Sequence, residues 1–195
     1  MLSYDESLKI LKETNALLEG HFILSSGLHS KEYIQCAKLL SYPKKAESIC
    51  ASLCEKINST YNNIDIVLSP AIGGIVVGYE IGRQLELETI FAERSAGELI
   101  LRRGFKIPEN SNVLVVEDVI TTGKSALECS AIIKKNNSKV VGYACIVDRS
   151  DKEVLIKDNI ISQVKFEIKT FKENQLPEEL SKIQPTKPGS KKLTK

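Results

Sequence analysis

The sequence lacks any long hydrophobic run. None of its apolar stretches approaches the roughly 20 residues that a helix needs to span a bilayer. Residues 1–6 contain neither the basic nor the apolar region of a secretory signal peptide. These absences favour a cytoplasmic protein without a membrane partner.

An excess of charge of one sign is also absent. Lys and Arg total 27 against 25 Asp and Glu, so the formal net charge is +2 at pH 7. The small positive excess lies in the tail, residues 182–195. Because no broad basic surface is indicated, we expect no nucleic-acid partner.

No Cys-x-x-Cys pair, a spacing common in zinc and redox sites, occurs in the sequence. The number of cysteines is odd; they are Cys36, Cys50, Cys54, Cys129 and Cys145. We therefore expect reduced, mostly buried thiols in preference to disulfides or zinc ligands.

Two common nucleotide-binding motifs are absent despite partial matches. Gly123-Lys124-Ser125 resembles the end of a Walker A motif, but that motif requires a glycine where this chain has Asp118. Residues 70–74 contain two glycines without the Gly-x-Gly-x-x-Gly spacing of a dinucleotide-binding loop. We expect neither a P-loop nor a Rossmann cofactor site.

The most informative stretch that is present runs from Val113 to Glu128. Its aliphatic start is typical of a buried parallel strand, two adjacent carboxylates follow, and a Thr-Thr-Gly turn leads into a helical pattern. Free backbone N–H groups and the helix dipole favour a phosphate at such a helix start. The small residues of the turn let an anion approach, and their hydroxyls can donate to it.

The two carboxylates, Glu117 and Asp118, would repel a phosphate at contact. They must therefore serve another part of the ligand, either sugar hydroxyls or a bound cation. A phosphate at the turn and a polyhydroxy ring over the acids together describe a ribose 5-phosphate. The alternative is an ordinary loop whose acids are solvated and whose glycine only relieves a turn.

Strand and helix patterns alternate from residue 64 onward and predict parallel β-α-β units. The predicted strands are 64–69, 89–93, 113–116 and 140–147, with another in 154–168 and short strand-like runs at 22–24 and 33–36. The predicted helices are about 3–18, one beginning at Pro43, 75–87, 125–136 and a short one near 177–183. The Lys/Pro/Ser-rich end is expected to be poorly ordered. The fold class is therefore α/β, with a mostly parallel central sheet flanked by helices.

Ligands gather at the carboxyl ends of the strands in such a sheet, so the loops 69–74, 94–104, 117–125 and 148–151 should face one another. The glycines of the first loop would present N–H groups to an anion, or else allow close helix packing. The second loop is predicted to be irregular. Its three arginines suit a mobile lid that closes over a polyanion, although a solvated hairpin is the alternative.

The fourth loop offers Arg149 at the end of a predicted strand. The planar fork of a guanidinium matches a carboxylate with two hydrogen bonds. The alternative is a surface arrangement in which Asp148 and Arg149 lie side by side.

The segment Val115–Gly123 resembles the phosphoribosyl pyrophosphate (PRPP) signature of the type I phosphoribosyltransferases. Further matches at 17–27, 91–94, 147–149 and 187–190 extend the resemblance to the orotate phosphoribosyltransferases over nearly the whole chain. The resemblance implies the type I phosphoribosyltransferase fold in one domain, residues 1–195. It also implies a small N-terminal hood of about residues 1–40 with a C-terminal contribution, and a core of about 41–170.

The activity implied by the resemblance is transfer of ribose 5-phosphate from PRPP to orotate, which forms orotidine 5′-monophosphate and pyrophosphate in de novo UMP biosynthesis. It also implies Mg²⁺ held through PRPP with no direct protein ligand, and a homodimer with a shared active site. Two alternatives stay open. One is a purine-type phosphoribosyltransferase, and the other is a non-catalytic regulator that senses PRPP or a nucleotide.

The resemblance also assigns residues to roles. Orotate is assigned to Thr121 and Arg149, and catalysis to Asp118. That Arg102 and Arg103 are also catalytic is a separate hypothesis, based on the charge of the second loop and not on the resemblance. The residues assigned to PRPP are Glu117, Asp118, Val119, Ile120, Thr121, Thr122, Gly123, Lys124, Ser125 and Arg94.

The sequence departs from the family pattern at several positions. Many relatives carry a lysine where Ser25 stands and another where Gly73 stands. Residues 95–97 are Ser-Ala-Gly, where relatives have lysines and a histidine. Arg102, Arg103 and Lys106 are the candidates to supply the missing positive charge.

Overall fold

Helices and strands alternate along the computed structural model, which describes residues 1–24, 26–150 and 154–188. The strands are β1 (Leu17–Ile23), β2 (His29–Ile34), β3 (Ile66–Pro70), β4 (Glu88–Ser95), β5 (Glu98–Leu101), β6 (Asn112–Ile120), β7 (Lys139–Asp148), β8 (Ile160–Lys165) and β9 (Thr170–Phe171). The helices are α1 (Tyr4–Glu13), α2 (Cys36–Leu40), α3 (Pro43–Thr60), α4 (Gly73–Leu85), α5 (Lys124–Lys135) and α6 (Glu178–Ser181), with a short 3-10 helix at Glu173–Gln175.

A six-stranded sheet in the order β5-β4-β3-β6-β7-β8 forms the centre of the fold. Its neighbouring strands are parallel except for the antiparallel pair β4 and β5. Successive side chains of β6 alternate between two hydrophobic clusters, as the period of two in a strand requires. Leu114 belongs to the cluster that includes α3 and α4, and Val115 to the one that includes α5. The predicted α/β class and mostly parallel sheet are confirmed.

The direction in which strands are added reverses at β3. This strand pairs with β4 on one side and with β6 on the other. The loops that follow β3 and β6 therefore leave the sheet next to each other, in the crevice where ligands bind in open α/β sheets.

A second, three-stranded sheet has the order β1-β2-β9. The C-terminal part of the chain joins it twice, because β9 pairs with β2 and Thr186 forms a parallel bridge with Phe22. The N-terminal strands and the C-terminal segment thus form one small layer, in the region assigned to the hood. The division of the chain into hood and core stays a prediction.

Two elements differ from the sequence prediction. The first helix ends at Glu13 and not at residue 18, because Asn15 turns into the left-handed region, with φ 54°, and Leu17 begins β1. The segment predicted as irregular, 94–106, contains a β-hairpin of β4 and β5. Ala96 and Gly97 have φ of 49° and 92° at its tip, the positive values that two-residue hairpin turns require.

The five cysteines are free and buried, as predicted. Throughout the described ranges, no helix is both long and apolar enough to cross a membrane. Some predictions fall outside those ranges. They concern Ser25, residue 151 of the fourth loop and residues 189–195 of the tail.

Candidate active site

The turn between β6 and α5 is built for a small anion. Gly123 precedes α5 and has φ of 76°, a left-handed conformation that glycine adopts at low cost. An ideal Cβ at this position would lie 2.7 Å from Ile156, so a larger residue has no room. Thr121, Thr122 and Lys124 are exposed around the first turn of α5, where backbone N–H groups lack helical acceptors. The geometry fits a phosphate.

Two carboxylates stand just before this turn. Burial and, to a smaller extent, the negative charge of Asp118 raise the pKa of Glu117 to about 7, while the Ala126 N–H group opposes both effects. Burial also raises the pKa of Asp118, opposed by hydrogen bonds from backbone N–H groups. Glu117 Oε1 is buried without a hydrogen-bond partner in the described part of the chain. The pair therefore has unused acceptor capacity that suits the hydroxyls of a sugar.

The loop after β3 reaches the same place. Gly73 begins α4, and an ideal Cβ built on it would lie 2.7 Å from Asp118 Oδ1. The chain therefore brings the glycine loop and the acidic loop into contact, as expected from the position of β3 beside β6.

Arg149 approaches the acidic loop from β7. Its backbone N–H group donates to the Ile120 carbonyl oxygen at 2.8 Å, so the arginine follows β7 directly beside the end of β6. Burial lowers the pKa of Arg149, and its Nε is buried with no partner among the described residues. A half-buried guanidinium with a free donor suits an anionic group of a ligand.

Asp148 does not pair with Arg149. Its Oδ1 accepts the Ser150 N–H group at 2.8 Å, and its Oδ2 lies 3.5 Å from Lys165 Nζ. The surface arrangement considered for Asp148 and Arg149 is therefore wrong, and Asp148 instead fixes the loop that carries the arginine.

Sequence reasoning missed two neighbours of Arg149. Tyr33 and Cys36 lie near enough for their ionised forms to raise the pKa of Arg149. The Cys36 thiol also lies 3.7 Å from the Asp118 carbonyl oxygen. Tyr33 lies near the end of β2 and Cys36 begins α2, so the small sheet reaches the site. The aromatic residue in the strand-like run 33–36 was the available signal.

Other residues assigned to PRPP have different surroundings. Ile120 is fully buried, so it offers only backbone atoms, and Val119 and Ser125 are half-buried. Arg94 donates to the Gly97 carbonyl oxygen and to Glu128 on α5, each at 2.5 Å. Arg94 is thus tied to the helix whose first turn forms the anion site.

The arginines assigned to catalysis lie on the hairpin. Arg103 Nη2 is 2.7 Å from Glu93 Oε1, and Arg102 Nη1 is 3.9 Å from Glu93 Oε2. Arg103 also stacks over the Phe91 ring at 5.7 Å. The side chains of Arg102 and Arg103 are 58% and 60% exposed, respectively. The contacts within the described ranges do not bring them to Glu117 or Asp118, and their catalytic role stays a prediction.

The mostly parallel sheet carries paired acids and a turn suited to a phosphate at its switch point, and an arginine after the next strand, β7. This arrangement is typical of a phosphoribosyltransferase. The family model described as a phosphoribosyl transferase domain matches residues 40–181.

Curated relatives narrow this class. The chain is 47% identical over 191 residues to an orotate phosphoribosyltransferase of Caldicellulosiruptor bescii, covering 98% of this chain and 100% of the relative. It is 46% identical over 192 residues to one of Methylorubrum extorquens, covering 98% of each. The chain belongs to the orotate phosphoribosyltransferase family.

Solved structures share the fold. Orotate phosphoribosyltransferase from Aeropyrum pernix matches with a TM-score of 0.71 at 24% identity, over 80% of this chain and 92% of that one. An adenine phosphoribosyltransferase from Thermoanaerobacter pseudethanolicus matches with a TM-score of 0.60 at 16% identity, over 69% and 88%. At these identities the likeness concerns the fold alone.

Proposed function

We propose that this enzyme transfers ribose 5-phosphate from PRPP to orotate, forming orotidine 5′-monophosphate and pyrophosphate. The near full-length similarity to relatives named orotate phosphoribosyltransferase supports this activity. The observation that carries it is the position of Arg149, whose backbone is hydrogen-bonded to the end of β6. A carboxylate-binding group there lies beside the site suited to the sugar phosphate.

PRPP would bind with its 5′-phosphate on the turn 121–125. The N–H groups at the start of α5 and the threonine hydroxyls supply donors for the phosphate oxygens. Glu117 and Asp118, on the part of β6 next to this turn, would accept hydrogen bonds from the ribose hydroxyls. This supports their assignment to PRPP. As the bond to pyrophosphate breaks, their negative charge would stabilise the positive character of the ring.

Orotate would bind with its carboxylate on Arg149 and its base near Thr121. The guanidinium favours orotate over purines, because adenine and hypoxanthine carry no carboxylate. The fold itself does not make this distinction, since it is shared with adenine phosphoribosyltransferases.

We propose that Mg²⁺ reaches the site on PRPP. Across the described ranges, no three His, Cys, Asp or Glu side chains gather closely enough to hold a metal ion. In this proposal the ion is carried by pyrophosphate and ribose oxygens, while Glu117 and Asp118 hold the sugar. When bound, the ion would neutralise charge that develops on the leaving pyrophosphate.

A homodimer is the second part of the proposal. Ile72, Val76 and Tyr79 are 86%, 50% and 64% exposed, and their spacing places them on one face of α4. We call this surface the α4 stripe. It begins inside the glycine loop of the site, so a second copy seated on it would lie next to the substrates.

A cytoplasmic location is supported by five unpaired thiols, which persist in a reducing compartment.

An absorbance assay tests the activity directly. The purified protein is mixed with orotate, PRPP and Mg²⁺, and loss of the orotate band is expected only when all three are present. Consumption of adenine or hypoxanthine in place of orotate would move the assignment to a purine enzyme. PRPP binding without consumption of any base would indicate the non-catalytic regulator.

A further inference from the structure

Gly73 lies against the carboxylate of Asp118. An ideal Cβ at Gly73 would lie 2.7 Å from Oδ1, 3.0 Å from Cγ and 3.0 Å from Oδ2 of Asp118. All three carboxylate atoms thus occupy the space that a side chain at position 73 would need. With any residue other than glycine at position 73, either the Asp118 side chain or the backbone around it must shift.

The backbone gives no other reason for glycine here. Gly73 is outside the left-handed region and is the first residue of α4, where alanine is more favourable than glycine. Gly73 is also exposed, so it does not pack the helix onto the sheet. Gly78 and Gly82 of the same helix differ, because a Cβ at either would collide with Ser69 or Thr89 of the neighbouring strands.

The contact joins the two loops of the switch point. Asp118 comes from the end of β6, and Gly73 comes from the loop after β3. The first turn of α4 carries the positive end of the helix dipole, which favours a carboxylate at that position. The acid is therefore supported by the helix that follows the glycine loop of the site.

We propose that Gly73 is a positioning residue for Asp118. The missing side chain lets the carboxylate rest on the first turn of α4, where it would face the ribose of PRPP. The inference rests on the proposed function, because it takes the ligand of Asp118 to be PRPP. It adds a role for a position where many relatives have lysine.

A double-mutant cycle tests the proposal with four proteins: the parent, Gly73→Ala, Asp118→Ala and the double variant. Gly73→Ala should lower kcat/KM for PRPP by roughly tenfold, as expected when a buried side chain is forced from its rotamer. The KM for orotate should change less, because Arg149 lies on another loop. In the Asp118→Ala background the same Gly73→Ala change should have no further effect, since the obstructing carboxylate is gone.

Binding of PRPP measured by calorimetry supplies a second readout if the Asp118→Ala background has too little turnover. Thermal unfolding of Gly73→Ala should show no loss of stability once Asp118 is replaced. Equal losses of PRPP affinity in both backgrounds would overturn the proposal, as would unchanged kinetics in Gly73→Ala alone. Failure of the proposed function is distinguishable, because the parent protein itself would then leave orotate unconsumed.

Discussion

At the scale of single residues, the proposed role of Arg149 is to decide between substrates. We expect Arg149→Lys to raise the KM for orotate by roughly 10- to 100-fold, because the charge remains while the planar pair of donors is lost. The KM for PRPP should change little, which steady-state kinetics with each substrate varied in turn will measure. Lys165→Ala is the control: its exposed side chain contacts Asp148 on the same loop, and it should leave the orotate KM near normal.

Glu117 should make stability depend on pH. Its pKa rises from 4.5 in the unfolded chain to about 7 in the folded one. The folded state thus binds the proton more tightly, so this contribution is full below pH 4.5 and is lost as pH rises through about 7. The contribution of Glu117 to the free energy of unfolding is at most about 3 kcal/mol for this pKa shift.

The measurement is thermal unfolding of the parent and of Glu117→Gln between pH 5 and pH 8. The parent should lose stability across this range, and the variant should lose less, because its amide cannot ionise. The same pH trend in both proteins would show that Glu117 ionises normally in the folded state.

At the scale of elements, a histidine pair ties the small sheet to the C-terminal segment. His21 and His29 are 4% and 5% exposed, and His21 Nε2 lies 2.6 Å from His29 Nδ1. His21 Nδ1 lies 2.8 Å from the Ile183 carbonyl oxygen, which can only accept, so this nitrogen must carry the proton. In the neutral pair, His29 Nδ1 is then the donor to His21.

Replacing His29 by alanine should cost about 1 to 3 kcal/mol, because a buried acceptor on His21 is left without a partner. His29→Gln keeps an amide donor and should lose less. Urea denaturation of both variants measures the free energy of unfolding. Equal stability of His29→Ala and the parent would show that the pair does not stabilise the small sheet.

The hairpin of β4 and β5 is an element whose role stays open. Arg102 and Arg103 contact Glu93 on this hairpin, and Arg94 contacts Glu128 on α5. The sequence places three arginines near one another, but the acid that each one contacts determines where its side chain points. The catalytic role of Arg102 and Arg103 therefore stays a prediction.

At the scale of the whole molecule, the α4 stripe should govern assembly. Tyr79→Glu places a charge at the C-terminal end of the stripe, and burying an unpaired charge in an interface is costly. We expect the molar mass from light scattering to fall from two chains to one. Tyr4→Glu is the matched control, a 48% exposed tyrosine on α1, and it should leave the mass unchanged. A parent protein of one chain mass would contradict the proposed homodimer.

Local patterns were sufficient for much of the fold and the anion site. The buried strand β6, the acids, the Thr-Thr-Gly turn and α5 follow one another along the chain, so their order alone predicts their geometry. The helix α3 was likewise predicted from its apolar face after Pro43. The hairpin was predicted only as the alternative to a mobile lid, because its turn, Ala-Gly, lacks the usual Asn-Gly signal and its strand β5 has only four residues.

The sequence by itself determined the α/β class, the glycine turn before α5 and the arginine at the end of β7, since each depends on neighbouring residues. Only the tertiary structure decided which distant groups meet. It placed Asp118 on Gly73, Arg149 near Tyr33, and His21 beside Ile183. These contacts depend on strand order and on the packing of separate elements, and the spacing of residues along the chain does not encode them locally.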